Sequence, residues 1–244
     1  MLRIEGLLAQ SAISQMAYLD VIANNLANAN TVGYKRDEVL FSDFSQVLTG
    51  VLTKEGLVAQ QVSYGSKPEE VRTIVSQGPL RRTDNPLDLA ISGKGFFVVQ
   101  TPEGERFTRA GNFQVDKDGF LVTSEGNKVL GMNGPIKLEG KKIQVNYLGE
   151  VLVDGNMVDK LRIVDFPKPY RLRKEGANLF VAHEVGFEPK GYKVLQGFLE
   201  DSSVNPVSEM VKMITAHRVY EASANAMKVV DELLGRVINE VPRV

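Results

Sequence analysis

Cysteine and tryptophan are absent from the 244-residue sequence, and histidine occurs only twice, at His183 and His217. The lack of cysteine excludes disulfide bonds and thiolate catalysis. The sequence also has no apolar run of the roughly 18 residues that a membrane-spanning helix needs. We therefore expect neither a disulfide-stabilised scaffold nor insertion into a membrane.

An excess of charge of either sign is missing as well. Lysine and arginine total 29, aspartate and glutamate total 30, and the formal net charge is −1. A nucleic-acid-binding surface needs a stripe of positive charge to neutralise phosphates, and no such stripe is visible. The composition therefore predicts no nucleic-acid partner.

The first residues do not form the continuous apolar block of a cleaved secretory signal. Glu5, Gln10, Ser11 and Ser14 interrupt any such block. The sequence therefore predicts a protein that is either cytoplasmic or exported by a route that retains its N-terminus.

Helical periodicity is present at both ends of the chain. From about Leu2 to Asn28, apolar residues recur at a spacing of three and four, and no proline interrupts them. The segment ends in asparagines and Gly33, which tolerate the left-handed conformation that terminates helices. On this apolar stripe, the candidates for contacts between molecules are Leu19, Ile22 and Leu26.

Four asparagines, Asn24, Asn25, Asn28 and Asn30, cluster where this helix is predicted to end. Asparagine caps helices and forms turns, so a frayed helix end is one explanation. The other is a set of amide hydrogen bonds that fix the bend or the register with neighbouring molecules. We interpret Asn28 and Asn30 as bend residues and Asn24 and Asn25 as packing residues. All four, with Gly33, are candidate site residues.

The C-terminal segment begins at Asn205-Pro206, where asparagine suits the N-cap and proline suits the first helical position. Glycine is absent until Gly235, which predicts a helix of about 34 residues that spans roughly 50 Å. The candidate residues for assembly lie on one seam of this helix or widen its apolar face. They are Met210, Met213, Ile214, Tyr220, Met227 and Leu234.

Between the helices, short apolar runs alternate with turn residues, a pattern typical of antiparallel strands. The turn sequence Asp116-Lys117-Asp118-Gly119 between two apolar runs predicts a hairpin. The predicted fold class is therefore α+β. A central β-rich domain of antiparallel strands, barrel- or sandwich-like, is flanked by long N- and C-terminal amphipathic helices that form a coiled-coil-like assembly region.

The same patterns predict four regions along the chain. They are an N-terminal assembly helix at 1–30, an extended linker or irregular β region at 31–78, a central β domain at 79–200 and a C-terminal assembly helix at 201–244. Neither helix can bury its apolar stripe alone, and an isolated helix is marginal in water. The helices can pair with each other or pack on the β domain, but the C-terminal seam is wider than a two-helix contact needs.

The expected further partner is another copy of the chain, because no membrane or nucleic-acid signal is present. A head-to-tail contact that does not close generates a helical filament.

Motifs for catalysis or metal binding are weak. Gly93-Lys94-Gly95 lacks the third glycine and the following helix of a phosphate-binding loop. The run 116–119 begins like a calcium loop but lacks the later acidic positions. We expect no enzymatic activity, no catalytic or metal-binding residue and no cofactor. Two classes remain as alternatives to a structural protein: a soluble β-barrel enzyme, and a wall-binding module or monomeric adhesin.

Three stretches carry a resemblance to a known family. The segment 21–35, VIANNLANANTVGYK, resembles the ANNLANxNTxG(F/Y)K signature of the flagellar basal-body rod and hook family. Residues 83–99, TDNPLDLAISGKGFFVV, resemble its central block, and 203–211, SVNPVSEMV, resemble its C-terminal element. Two residues depart from the pattern, because Asp84 stands where the family usually has glycine and His217 where glutamine is common.

The resemblance implies a structural subunit of the bacterial flagellar rod, nearer to the family's proximal rod proteins than to its distal ones. Such a subunit polymerises through its terminal helices into the tubular drive shaft that transmits torque from motor to hook. A flagellar hook or hook-like axial protein is the alternative within the family.

The implied partners are other copies of the chain, neighbouring flagellar rod and hook proteins, and the flagellar type III export apparatus. The implied location is the flagellar basal body, reached without a cleaved signal peptide.

Overall fold

The computed structural model describes residues 2–43, 47–53, 56–62, 66–140, 142–176, 178–182 and 184–240. The chain divides into two compact units. The first comprises Met1–Leu26, Asp37–Arg72 and Pro206–Val244, and the second comprises Ala27–Arg36 and Thr73–Asn205. The chain therefore passes between the units four times, and each unit is built from segments that are distant in sequence.

Two helices belong to the first unit, α1 at Leu2–Ala27 and α2 at Pro206–Glu240. Helix α2 begins at the proline that fits a first helical position, and Glu209 lies in its first turn, where a negative charge is favourable. In the part of the chain that is described, neither helix is long and apolar enough to cross a membrane.

Four strands also lie in the first unit. Their bounds are β1 Asp37–Asp43, β2 Val47–Thr53, β3 Gly56–Val62 and β4 Ser66–Thr73. Strands β2 and β3 form an antiparallel hairpin in which Val47 pairs with Val62, and β1 pairs with β4. The segment between the two helices thus begins as two strand pairs.

The second unit contains the remaining strands of the described residues. They are β5 Leu80–Arg82, β6 Leu89–Ser92, β7 Phe96–Thr101, β8 Gly104–Thr108, β9 Gln114–Val115, β10 Leu121–Val122, β11 Lys128–Val129, β12 Ile143–Val145, β13 Glu150–Val153, β14 Asn156–Lys160, β15 Ile163–Val164, β16 Leu172–Glu175, β17 Leu179–Ala182, β18 Lys193–Gln196 and β19 Phe198–Glu200.

The sheets of the second unit are unequal in size. The largest has eight strands in the order β16-β17-β8-β7-β11-β10-β9, with β15 also paired to β7. A three-stranded sheet has the order β12-β13-β14, and the pairs β18-β6 and β19-β5 complete the set. The predicted hairpin is present between β9 and β10, where Asp116 Oδ1 accepts hydrogen bonds from the amides of Asp118 and Phe120 at 2.9 and 2.7 Å.

Strand β7 lies at the centre of this unit and contributes to two hydrophobic clusters. Side chains alternate across a strand, so Phe96 and Phe97 point to opposite faces, and both are fully buried. Phe97 and Val99 join the larger cluster, whereas Phe96 packs with Phe166 and Phe180 in the smaller one. A strand that is covered on both faces reads as a continuous apolar run, as 96–99 does.

Tyr170, which packs at the edge of the smaller cluster, makes the stability of the fold depend on pH in the alkaline range. The Tyr170 hydroxyl donates a hydrogen bond to Asp165 Oδ1 at 3.1 Å. Burial and the neighbouring Asp165 raise the pKa of Tyr170 from 10.0 to about 12. The folded state holds this proton more tightly than the unfolded state does, so the stabilisation is present below pH 10 and is lost as the pH rises towards about 12.

We therefore expect the Tyr170→Phe variant to lose less unfolding free energy between pH 10 and about pH 12 than the wild type loses. Urea denaturation of both proteins at the two pH values measures the difference. An equal loss in both proteins would show that Tyr170 titrates normally in the folded state.

The edge strand β12 is closed by a side chain rather than by another strand. Gln196 Oε1 accepts a hydrogen bond from the Val145 amide at 3.2 Å, and its Nε2 donates to the Ile143 carbonyl at 3.1 Å. The same Nε2 donates to the Pro86 carbonyl at 2.9 Å. The amide group of Gln196 thus occupies the position of a peptide group in a neighbouring strand.

The backbone conformation explains why Asp84 can stand where the resembled family usually has glycine. Asp84 adopts a φ of 59°, in the left-handed region that glycine occupies without strain and that aspartate tolerates better than most residues. The glycine that the family usually has at this position suits the same backbone. The Asp84 carboxylate also pairs with Arg82 on the surface at 2.6 Å.

The predicted fold class is wrong, because it included a coiled-coil-like region formed by the two terminal helices. In the described residues, helix is confined to α1 and α2, and the large β-rich part between them forms six hydrogen-bonded sheets. The described residues of the two helices do not form the predicted coiled-coil-like assembly region. A coiled coil needs apolar residues throughout its seam. The buried positions of these helices are mostly small or polar: Ala12, Ser14, Ile22, Asn25, Glu209, Ala216 and Ser223.

Candidate functional site

The segment after α1 is anchored within the second unit by its backbone. The Gly33 amide donates to the Glu200 carbonyl at 2.7 Å, and the Ser203 amide donates to the Tyr34 carbonyl at 3.0 Å. The Arg36 amide donates to Ser203 Oγ at 3.0 Å. Residues 33–36 therefore lie against 200–203, which directly precede α2 in the chain.

Gly33 is required by both conformation and space. Its φ is 70°, and a Cβ at this position would lie 2.3 Å from the Ala110 nitrogen and 2.5 Å from the Arg109 carbonyl carbon. Real Cβ atoms do not approach backbone so closely. The glycine thus allows the chain to pass directly over the 109–110 backbone.

Three charged side chains meet beneath this segment, and we call them the buried charge cluster: Lys35, Arg109 and Glu200. Lys35 Nζ contacts Glu200 Oε1, and Arg109 Nη1 lies 3.0 Å from Glu200 Oε2. The side chains of Lys35 and Glu200 are 0% exposed and that of Arg109 is 4% exposed. Burial lowers the pKa of Lys35 below its ordinary value, although the charge and the hydrogen bond of Glu200 act in the opposite direction.

The other hydrogen bonds of the cluster go to the backbone. Lys35 Nζ donates to the Ser76 carbonyl at 2.6 Å, and Glu200 Oε1 accepts from the Gly78 amide at 2.8 Å. Arg109 donates to the carbonyls of Ile91 and Gly93 at 3.2 and 2.7 Å and lies over the Phe96 ring. An arrangement without access to solvent holds chain segments together and offers no reactive group to a substrate.

A second buried polar contact lies in the first unit, around Asn25. Its Nδ2 donates to the Asp37 carbonyl at 2.8 Å, and its Oδ1 accepts from the Asp37 amide at 2.8 Å. Nδ2 also lies 3.4 Å from Glu209 Oε2, and the other oxygen of Glu209 accepts from Lys212 at 2.6 Å. Asn25 therefore joins the end of α1 to the first residue of β1 and to the first turn of α2.

An apolar face of α2 remains exposed. The residues Val207, Met210, Val211 and Ile214 recur at a spacing of three and four and so lie on one face of the helix. Val211 is 59% exposed and Ile214 is 56% exposed. We call these four residues the α2 apolar face. A contiguous apolar surface of this kind is typical of a site for another protein.

Enzyme-like features are weak in the described residues. A cavity of about 330 Å³ is lined by residues that include Leu130, Met132, Glu105 and Arg162, but the two charged residues pair with each other at 2.7 Å. The described part of the chain holds no group of three or more potential ligands placed to bind a metal ion. His217 is exposed beside Glu221, and His183 lies outside the described residues.

Comparisons with known proteins cover the same regions. Residues 8–35 match the family described as "Flagella basal body rod protein", and residues 90–153 match "Flagellar hook protein FlgE/F/G D1 domain". Residues 195–240 match "Flagellar basal body rod FlgEFG protein C-terminal". The flagellar basal-body rod protein FlgG of Bacillus subtilis is 35% identical, over 91% of this chain and 92% of that protein. The chain belongs to the flagellar basal-body rod protein family.

Further relatives agree with this family. FlgG of Caulobacter vibrioides is 33% identical over 93% of this chain and 94% of its own length. FlgF of the same organism is 32% identical over 93% of this chain and 92% of its own length. The family recognised from the sequence motifs is thereby confirmed.

In this member of the rod family, the buried charge cluster joins all three matched regions. Lys35 lies in the N-terminal match, Arg109 in the central match and Glu200 in the C-terminal match. The Asn25–Glu209 contact likewise joins the first and third regions. The structural role of these motifs is therefore to bring distant parts of the rod-family chain together.

The residues predicted as site residues fall into three classes of exposure. Those that are buried are Ile22, Asn25 and Gly33. Those that are partly buried are Leu19, Leu26, Asn28, Met213, Tyr220, Met227 and Leu234. Those that are exposed are Asn24, Asn30, Met210 and Ile214. Among the exposed residues, Met210 and Ile214 belong to the α2 apolar face.

The charge cluster was missed by sequence reasoning. Lys35 ends the recognised signature, but a lysine next to a predicted linker suggests an exposed side chain. The sequence did hint that the partner of Lys35, Glu200, is buried. Glu200 directly follows the apolar residues Phe198-Leu199 and precedes the polar residues that lead to α2. The pairing of the two residues, which are 165 positions apart, is not encoded in any local pattern.

Proposed function

We propose that this chain is a structural subunit of the flagellar basal-body rod and polymerises through its terminal helices into the tubular drive shaft. The relatives named as flagellar basal-body rod proteins support this role along nearly the whole chain. The observation that carries the mode of assembly is the α2 apolar face, which exposes four large or branched apolar side chains to solvent.

Burial of these side chains against another copy provides the driving force for polymerisation. Full burial of one such side chain contributes roughly 1.5–3 kcal/mol. On α1, Ile13 and Met16 are also more than half exposed and extend the apolar surface available in the first unit. The role is mechanical: the subunit positions its neighbours and carries load without transforming a substrate.

The partners of this subunit follow from the same role. We propose that other copies, neighbouring flagellar rod and hook proteins, and the flagellar type III export apparatus are its partners. We also propose that the chain reaches the basal body through this export apparatus, without a cleaved signal peptide.

We expect Val211→Asp to abolish polymerisation while leaving the monomer folded. Val211 is 59% exposed, so the charge is solvated in the monomer but would be buried in an interface, where an unpaired charge is strongly unfavourable. Sedimentation at increasing protein concentration and electron microscopy of concentrated protein measure assembly, and swimming in soft agar measures function.

The matched control is Asn225→Asp, which adds the same charge at an exposed polar position of α2. This variant is expected to polymerise and to support swimming. Polymers of normal length from Val211→Asp, or a motile strain that carries it at normal protein level, would remove the α2 apolar face from the assembly contact.

A further inference from the structure

The buried charge cluster contains two cations and one anion. Among the described residues, the acidic side chain that contacts the Lys35 ammonium is Glu200, and the same carboxylate also binds Arg109. Removal of the carboxylate would leave two positive charges in a region that water does not reach. A buried charge without its partner is strongly destabilising, whereas a balanced pair is tolerated.

The two cations do not depend on Glu200 equally. Arg109 also donates to two backbone carbonyls and lies over the Phe96 ring at 5.4 Å. The Lys35 ammonium has, besides Glu200, the carbonyl of Ser76. Without the carboxylate, Lys35 is therefore the residue that leaves the interior, and it is carried by the segment 33–36 that follows α1.

The carboxylate arrives from the far end of the chain. Glu200 is the last residue of β19, and it is positioned by pairing with Leu80 of β5. The next residue, Asp201, donates its amide to the Pro79 carbonyl at 2.9 Å. Until β19 has paired with β5, Glu200 is not in place, and Lys35 would be buried next to the positively charged Arg109 without a carboxylate.

We propose that the buried charge cluster is a latch that makes docking of the N-terminal segment 33–36 conditional on strand β19. Repulsion from Arg109 and the cost of burying Lys35 keep the segment in solvent until Glu200 is in place. The chain therefore anchors its N-terminal signature last, after its C-terminal strand. This device goes beyond rod assembly and does not depend on it.

Hydrogen exchange on the full chain tests the latch, with the Ile74 amide as its reporter. Ile74 donates to the Arg36 carbonyl at 2.9 Å, so its protection requires the docked segment. Glu200→Gln keeps the shape and the oxygen that accepts from the Gly78 amide but removes the charge. We expect exchange at Ile74 to accelerate on the order of 100-fold in this variant.

The second substitution decides between a charge latch and ordinary packing. Lys35→Met alone leaves one cation and one carboxylate, so we expect exchange at Ile74 within about tenfold of the wild type. Lys35→Met added to Glu200→Gln is expected to restore slow exchange, because the docking segment then carries no charge, while Arg109 keeps its two backbone carbonyls and the Phe96 ring. If the double variant exchanges as fast as Glu200→Gln or faster, the latch is wrong.

Two further measurements complete the test. Asp201→Asn changes the neighbouring carboxylate, which pairs with Arg81 on the surface, and is expected to leave exchange at Ile74 within a few-fold of the wild type. If Glu200→Gln does not fold, folding of the double variant supports the latch and failure of both overturns it. In pulse-labelled refolding of the wild type, Ile74 is protected no earlier than Asp201; earlier protection of Ile74 contradicts the order.

Discussion

Gly33→Ala is expected to lower the free energy of unfolding of the second unit by about 3 kcal/mol. A φ of 70° strains any residue with a Cβ, and here the added carbon would also collide with the backbone of Arg109 and Ala110. Relief of the collision requires the segment to move away from Glu200 and to give up the hydrogen bond from the Gly33 amide. Urea denaturation followed by tyrosine fluorescence or circular dichroism measures the loss.

Gly176 supplies the matched control for this substitution. Its φ is 65°, but among the described residues beyond its two chain neighbours no atom lies within 4 Å of a Cβ at that position. Gly176→Ala therefore carries the conformational strain without the collision and is expected to cost about 1 kcal/mol. If both variants lose the same free energy of unfolding, the collision with the backbone of residues 109–110 does not contribute to the effect of Gly33→Ala.

Asn25→Ala is expected to destabilise the first unit by about 2 to 3 kcal/mol. The side chain is buried and satisfies both the amide and the carbonyl of Asp37, each at 2.8 Å. Alanine leaves these two backbone groups without their partner and removes a donor that faces Glu209. Far-UV circular dichroism during urea denaturation reports the loss, because both helices lie in this unit.

Asn24 is the natural comparison, since it is the same residue type one position earlier and its side chain is exposed. Asn24→Ala is expected to change the stability by less than about 0.5 kcal/mol. Equal losses for the two asparagines would mean that the pairing with Asp37 does not stabilise the fold.

The positions of the helices could be predicted because their limits depend on local chemistry. Pro206 is the first residue of α2, as expected for a proline that follows an asparagine. The end of α1 at Ala27 precedes the asparagine-rich segment that leads to Gly33, whose φ is positive. The hairpin at 116–119 was also predictable, because turn residues and the two flanking apolar runs lie within ten positions of each other.

The way in which these elements pack could not be predicted from the same patterns. An apolar spacing of three and four shows that a helix has an apolar face, but it does not show what covers that face. This is why the prediction of a coiled-coil-like region was wrong: Met210 on the predicted seam and Ile214 on the wider apolar face are exposed, while the polar Asn25 and Glu209 are buried.

Only those parts of the candidate site that depend on local sequence could be predicted. The signature identified Gly33 and the asparagine cluster, but nothing local distinguishes the buried Asn25 from the exposed Asn24. The charge cluster depends on contacts across 91 and 165 positions, so its members are recognisable as a group only in three dimensions. Long-range pairing of single charged residues leaves no periodic signal in the sequence.

The side-chain amide of Gln196 gives β12 a property that matters when many copies of one chain are crowded together. An open strand edge offers its peptide groups to any neighbour, and identical neighbours are the most effective templates for disordered aggregation. Gln196 satisfies the Val145 amide and the Ile143 carbonyl from within the same molecule. At high concentration, the edge of β12 therefore does not pair with a strand of another copy. Self-association then takes place through other surfaces, whose geometry is defined.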